Sequence, residues 1–561
     1  MAVSNVSLSS TTRPTSSGTC LGNSALISSA ISTSWTPARS TTTRRSPSWP
    51  VSWASTSTSW SCGAMPYDAV IVGSGFGGAF TSLALTEAGL RVLLLERGQP
   101  VARDDGDWDP RQILLGDRYR SPSPVHVRQY GARSYSDMWH HETVGGSSVF
   151  YGGASLRMRP SDLDRWPFDY DDLEPHYTRA ENLLDVYGLA GADPQDPPRS
   201  APYPRQSIDF TAPARRLHDA ARSLGYRPFA LPMALNFGDE SRPLCVLCNT
   251  CDGYPCRIEA KNDLTAMVLN RAQDQGLEIR AGVIASRLLT DGDRVGELEY
   301  VDAETGEVCS VAASRFIVAA GALQTPALLL RSGFDGRSPG GYWIGRRLMR
   351  HCNAVVTGVF RRQTNPENTF HKQLCLTDFY DDMRDRLGTA TGTIQDIYTP
   401  ARQVIEHHAP PGLRRVAGWL SAFMQNLLCI AEDDPRVGNV VTLGEPDGFG
   451  VATPRVDHEY SAADYERRDY LVMRARRVLK AAGAWRTRLY EIDSFSHGVG
   501  TVGMAATPEE GALDPQGRVW GVDNLWVTDG SAFPTSSGVN PSLTIAANAL
   551  RVAPAIIDAD A

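Results

Sequence analysis

Residues 67–98 read YDAVIVGSGFGGAFTSLALTEAGLRVLLLERG, and this run decides the fold. Val70, Ile71 and Val72 form an apolar run that predicts a buried strand, and a helix is expected from about Phe76 to Ala88. A second apolar run, VLLL, ends at Glu96. Between strand and helix, Gly73, Gly75 and Gly78 spell G-x-G-x-x-G, with Ser74, Phe76 and Gly77 filling the turn. The first glycine permits the tight turn, the second lets a pyrophosphate approach the backbone, and the third lets helix pack on strand. The helix start then offers free N–H groups to the diphosphate. Glu96, followed by Arg97, stands where a carboxylate accepts from ribose hydroxyls. Strand, turn, helix, strand and terminal acid in register predict a Rossmann-type unit that holds a dinucleotide. NAD and FAD share this pattern, so it does not choose between them.

Two later stretches repeat the strand-then-helix signal. In SRFIVAAGALQTPALLLRSG (314–333), Phe316 to Ala320 read as strand, and Gly321 turns into a helix ending near Ser332. In the closing NLWVTDGSAFPTSSGVNPSLTIAANALRVA, Leu525 to Thr528 read as strand and Asp529-Gly530 as a turn. Pro541 opens a long helix there, where its missing N–H costs little. One α/β nucleotide domain is therefore expected from discontinuous segments, 65–160, 230–335 and 496–561. Residues 161–229 and 336–495 would make an α+β substrate domain with an antiparallel sheet. In that second region NVVTL (439–443) and RVDHEYS (455–461) read as strands of a solvent-backed sheet. AADYERRDYLVMRARRVLKAAGA reads as a helix that Gly483 stops.

Composition narrows the function classes. The 561 residues are 42% hydrophobic and 21% charged, with a net charge of −8 and no basic stripe. These are the proportions of a globular protein with a large core, and they argue against nucleic acid as partner. No run of apolar residues is long enough for a membrane span, and a cytoplasmic location is expected. Residues 1–64 differ from the rest: they are Ser/Thr-rich, lack Asp, Glu and Lys, and show no apolar period. They read as a disordered or non-native extension, with Met65 as the expected true start. A transit peptide or a signal built on Arg44-Arg45 fits less well.

The whole set of motifs resembles the glucose–methanol–choline (GMC) family of FAD-dependent oxidoreductases. The matching parts are the opening fingerprint, VGGSSVFYGGAS (144–155), IVAAGALQTPALLLRSG, SHGVGTVGM (496–504) and LWVTDGSAFPTSSGVNPSLTIAANA. RWPFDYDDLEPHYTRAENLL (165–184) is similar to the family as well. The resemblance implies FAD as cofactor, with Gly145, Gly146, Ser147, Val149, Ala320, Gly321, Asp529, Gly530 and Pro541 joining the fingerprint residues around it. It also implies that His497 and Asn540 lie side by side over the reacting face of the flavin. Alcohol oxidation removes a proton from O–H and a hydride from C–H. A neutral imidazole, with an ordinary pKa of about 6.5, accepts the proton. Asn540 would hold the hydroxyl oxygen so that the C–H points at flavin N5. The implied reaction is oxidation of a CH–OH group of a sugar, aminosugar, polyol or related alcohol to the carbonyl. VFYGGAS is also similar to bacterial oxidases of sugar or aminosugar primary alcohols in antibiotic pathways. A non-redox lyase that holds FAD on the same fold is the alternative, and dioxygen or an external acceptor would take the electrons.

The chain also departs from the family. Tyr151 stands where relatives often carry Asn, and no histidine follows the GGSS turn, so FAD is expected to be held without a covalent bond. His140, His141, His351, His371, His407, His408 and His458 lack a comparable context and read as structural. Cys245, Cys248, Cys251 and Cys256, in CVLCNTCDGYPC, are spaced nearly as in a ferredoxin run. They read as iron–sulfur ligands, as a structural zinc site, or as plain thiols and disulfides.

Overall fold

The computed structural model describes residues 67–129 and 131–559. The expectation for residues 1–64 lies outside them.

The fingerprint strand is Tyr67–Val72, the helix Phe76–Glu87, and the second strand Val92–Glu96. The two strands pair in parallel, Val70 opposite Leu93. Glu278–Ala281 adds to the outer side of the second strand, also in parallel. On the other side, Val308–Val318 pairs in parallel with the first strand, and Leu525–Val527 pairs with it in turn. Five parallel strands from four distant parts of the chain thus form one sheet. Val70–Val72, Val92–Leu95, Phe316–Val318 and Leu525–Val527 are buried, which is why they read as continuous apolar runs. The strand Val308–Val318 is longer than the Phe316–Ala320 expected from sequence. Its first half pairs antiparallel with Arg294–Asp302, which forms a hairpin with Val283–Asp291.

The glycines of the fingerprint are fixed by contact with the ends of these strands. Gly73 has φ +98°, and a Cβ there would lie 2.4 Å from the Ala319 carbonyl oxygen. A Cβ on Gly78 would lie 1.8 Å from the Gly73 oxygen, and one on Gly77 2.5 Å from the Thr528 oxygen. Around Gly75, by contrast, no atom lies within 4 Å of the Cβ position. Backbone packs on backbone at three corners, and the fourth is left open at the helix start.

A six-stranded antiparallel sheet covers the site from the other side. Its order is Arg486–Glu491, Ala354–Val359, Met424–Ala431, Gly392–Ile397, Leu374–Leu376, Phe229–Ala230. The helices Ala212–Ser223 and Ala462–Ala481 back it, burying Leu217, Leu471, Val478 and Leu479 against Ala354, Leu374 and Leu427. The second helix begins at Ser461, in a capping box with Asp464, and ends before Gly483 at φ +101°.

The segments 439–443 and 455–461 do contain antiparallel strands, Val440–Pro446 and Ala452–His458. They belong to a separate four-stranded sheet with Val125–Gln129 and Ser136–Met138. The large sheet, by contrast, is backed by helices. Its central strand MQNLLCIA is buried at seven of eight positions and carries no alternation to read. Among the described residues, no helix is long and apolar enough to cross a membrane.

Candidate active site

The dinucleotide cradle assembles around the open corner at Gly75. The helix from Phe76 has no side-chain cap and no acidic residue in its first turn, so its free N–H groups remain available to an anion. Gly146, at φ +55°, brings the 145–149 loop so close that its Cβ position lies 3.0 Å from Gly75 Cα. Ser74 ties the two loops together, its Oγ accepting from Gly145 N at 2.9 Å. Glu96 holds Ser74 in turn: Oε2 accepts from Ser74 N at 3.0 Å and from Ser74 Oγ at 2.6 Å, and Oε1 accepts from Gly98 N at 2.8 Å. Both lone pairs of Oε2 are thus taken by Ser74, and Oε1 keeps one for a further donor. Burial pushes the Glu96 carboxyl above its ordinary range, against those hydrogen bonds.

Asp529 joins two other corners. Its Oδ2 accepts from Gly321 N at 2.7 Å and Thr325 Oγ1 at 2.5 Å, and its Oδ1 accepts from Ser531 N at 2.8 Å. The Ala320–Gly321 and Asp529–Gly530 turns are thereby locked to one another. Ser147 and Val149 lie in the short helical turn Gly146–Val149, and Pro541 caps the helix Ser542–Ile557. Arg97 is turned to Glu142, in a 2.8 Å ion pair. Tyr151 packs edge-on to Phe76 at 5.5 Å and donates to the Asn262 carbonyl at 2.8 Å. An open anion-binding helix start beside a carboxylate, ringed by bare backbone, fits a flavin dinucleotide.

His497 and Asn540, 43 residues apart, do meet: Asn540 Nδ2 lies 3.5 Å from His497 Nε2, a long contact. Gln395 Nε2 donates to Asn540 Oδ1 at 2.8 Å, which turns the Asn540 amide nitrogen toward the imidazole. His351, read from sequence as merely structural, is the residue behind the pair. Its Nδ1 lies 2.9 Å from His497 Nδ1, and its Nε2 lies 3.0 Å from the Ser536 carbonyl oxygen.

These contacts fix the protons. A carbonyl only accepts, so His351 Nε2 carries the hydrogen and His351 Nδ1 is an acceptor. His497 Nδ1 must then donate to it, and His497 Nε2 is left with its lone pair free. The relay presents a basic nitrogen on the Asn540 side and no other.

His351 is itself held in an uncommon conformation, φ +62°. Asp433 secures it, accepting from Arg350 N at 2.8 Å and from His351 N at 3.0 Å. Ser536 Oγ donates to the same carboxylate at 2.8 Å, and Tyr460 donates to the His351 carbonyl at 2.6 Å. The remaining histidines lie apart from the relay. His458 is buried 3.9 Å from Asp433, His371 packs edge-on to Tyr398, His141 stacks on Phe150, His140 contacts Glu142, and His407 and His408 are exposed.

Burial, with His351 in contact and the Lys372 charge nearby, holds the His497 imidazole well below its ordinary value of 6.5. A base works only when unprotonated, and it is unprotonated above its pKa. The rate of alcohol oxidation, kcat/KM, is therefore expected to stay flat as pH is lowered through 6.5, with its acid limb far below. An acid limb at 6.5 in the measured profile would contradict this assignment.

The four clustered cysteines do not gather as metal ligands. Among the described residues, no group of three or more His, Cys, Asp or Glu side chains is arranged to hold a metal ion. Cys248 and Cys251 instead act on one another: donation from the Cys251 thiol lowers Cys248 and raises Cys251. Among the described residues the iron–sulfur and zinc readings therefore find no donor set.

Comparison with known proteins agrees with the geometry. Two GMC oxidoreductase profiles, for the N-terminal and C-terminal parts of the family, match residues 67–353 and 435–549. The chain belongs to the GMC oxidoreductase family. It is 31% identical to 6'''-hydroxyparomomycin C oxidase of Streptomyces lividus, over 87% of this chain and 91% of the relative. It is 30% identical to paromamine 6'-oxidase of Streptomyces fradiae, with the same coverage. Pyridoxine 4-oxidase from Mesorbium loti shares its fold, with a TM-score of 0.60 at 20% identity over 87% of this chain and 99% of that one. The protein is an FAD-dependent oxidoreductase that oxidises an alcohol CH–OH group to the carbonyl.

Proposed function

We infer that this GMC enzyme is an oxidase of a primary alcohol on an aminosugar, with dioxygen as electron acceptor. The observation that carries the catalytic assignment is the hydrogen-bond relay through His351, which leaves His497 Nε2 as the free base. Bound FAD supplies a two-electron acceptor for the hydride. It would be held, without a covalent bond, by the 73–78 turn, Glu96, the 145–149 loop, Ala320–Gly321 and Asp529–Gly530.

The protein's own residues do the rest. His497 Nε2 takes the hydroxyl proton as the C–H bond is broken, and burial of the imidazole removes competing water. Asn540, oriented by Gln395, donates to the substrate oxygen and fixes which C–H is presented. Gln395 Oε1 is buried without a partner, a spare acceptor beside Asn540 for a further hydroxyl or ammonium of the substrate. The relatives that act on paromomycin-type compounds support the aminosugar reading, and the free thiols among the described residues support a cytoplasmic location.

The test is anaerobic. The yellow holoenzyme is mixed with aminosugars, simple sugars, polyols and plain alcohols while the oxidised-flavin absorbance is followed. Aminosugar primary alcohols are expected to bleach it fastest, and air to restore the colour with release of hydrogen peroxide. Bleaching by polyols alone would overturn the substrate class. Colour restored only by an artificial acceptor would overturn the oxidase reading. Base-dependent cleavage with the flavin oxidised throughout would favour the lyase.

A further inference from the structure

The cysteine loop is the one sequence motif that flavin and alcohol chemistry leave without a task, and its position is informative. The buried Lys261 ammonium donates to the carbonyls of Val149 at 3.0 Å, Cys251 at 2.9 Å and Tyr254 at 2.8 Å. The loop is thus bolted to the strand of chain that borders the flavin cradle. It also rests on the bare backbone of Gly152, whose Cβ position lies 2.0 Å from Asp252 Oδ1. Asp252 pairs with Lys372 at 2.8 Å, and the Lys372 charge acts on His497. Cys251 is therefore one residue from the carboxylate that pairs with Lys372.

The two thiols of the C-x₂-C pair are unequal. Cys251 is buried at 5% exposure, whereas Cys248 is half-buried and has a second partner, Thr250 Oγ1, at 3.2 Å. Cys248 is the sulfur a small oxidant reaches first, and Cys251, three residues on in the same loop, is the thiol placed to resolve it. Cys245 and Cys256 flank the two and are free thiols as well.

We propose that Cys248 and Cys251 form a dithiol that hydrogen peroxide closes reversibly to a disulfide, and that closure slows the adjacent active site. In the first step the Cys248 thiolate attacks one peroxide oxygen. The S–O bond forms, the O–O bond breaks, hydroxide leaves, and Cys248 becomes a sulfenic acid. In the second, the Cys251 thiol attacks that sulfur, the S–S bond forms, and hydroxide leaves and takes the thiol proton as water. Two thiols are oxidised by two electrons and one peroxide is reduced to two waters. A disulfide needs an S–S length of about 2.05 Å. Drawing the sulfurs to that distance shifts Cys251, carries Asp252 with it, and loosens its hold on Lys372. Peroxide is also what an alcohol oxidase releases, so the loop stands where a product-sensing thiol is exposed first.

The test adds peroxide directly to the holoenzyme, so its outcome does not depend on whether turnover generates any. Alkylation and peptide mass mapping are expected to find a Cys248–Cys251 disulfide that dithiothreitol reverses. Anaerobic flavin reduction by an active alcohol should slow on oxidation and recover with dithiothreitol. Cys251→Ser should trap a dimedone-reactive sulfenic acid at Cys248, and Cys248→Ser should keep its own rate after peroxide. Full alkylation of both thiols after peroxide, or a disulfide to Cys245 or Cys256, would overturn the proposal. A Cys248–Cys251 disulfide that leaves the flavin-reduction rate unchanged would overturn its link to the site.

Discussion

His497→Ala is expected to bind FAD normally and to slow reduction of the flavin by alcohol by about 10²–10⁴-fold, the usual contribution of a positioned general base. The separation of the two effects follows from where the residue sits. None of the corners that form the cradle, at Gly75, Gly146, Glu96 and Asp529, takes a hydrogen bond from the imidazole. Loss of the side chain removes the free nitrogen beside Asn540 and leaves the cradle intact. The measurement is single-turnover bleaching under anaerobic conditions, with the absorbance of the isolated protein reporting flavin content. A variant that retains flavin and bleaches within a few-fold of the parent would remove His497 from the chemistry. His497→Gln adds a second view: it fills the space, offers hydrogen bonds and still lacks a base, so it should be slow too. Were it fast, shape rather than proton transfer would be the function of this position.

How far the sequence can be read depends on how local each signal is. The parallel sheet is legible because strand, glycine turn, helix and acid lie within residues 67–98, each confirming the next. The six-stranded sheet is not, because Met424–Ala431 and Gly392–Ile397 are buried on both faces and carry no period. His497 and Asn540 are legible because each sits inside a recognisable run. His351 has no such run: its meaning comes from a histidine 146 residues later and from a carboxylate, Asp433, 82 residues later. Its left-handed backbone is a second feature that sequence does not announce, since only Gly, Asn and Asp adopt it readily. Gln395 is hidden in the same way, inside a strand whose alternation is lost. The cysteines are a different case. Spacing leaves metal ligands and plain thiols both open, and the described residues hold free thiols and no metal-binding group.

His351→Leu and His351→Asn are expected to differ sharply, and the difference tests the proton relay itself. His351 is a positioning residue: it acts through His497, whose Nδ1 hydrogen it accepts. Leucine removes that acceptor from a buried site, so His497 Nδ1–H loses its partner. The imidazole is then free to carry its hydrogen on Nε2, where it faces Asn540 and the substrate hydroxyl with no lone pair. A wrong tautomer of a catalytic imidazole costs as much as losing much of the base, and a loss of about 10²–10⁴-fold in the flavin-reduction rate is expected. Asparagine places a carbonyl oxygen near the position of His351 Nδ1 and also tolerates the φ of +62°, so most of the rate should return. A role confined to packing predicts the reverse order, because leucine fills the volume of imidazole better than asparagine does. The pH profile separates the two views again. With the relay broken, the acid limb of kcat/KM should move for His351→Leu and remain near the parent's for His351→Asn. Equal rates and equal profiles for the two variants would mean that the 2.9 Å contact between the histidines does not set the tautomer.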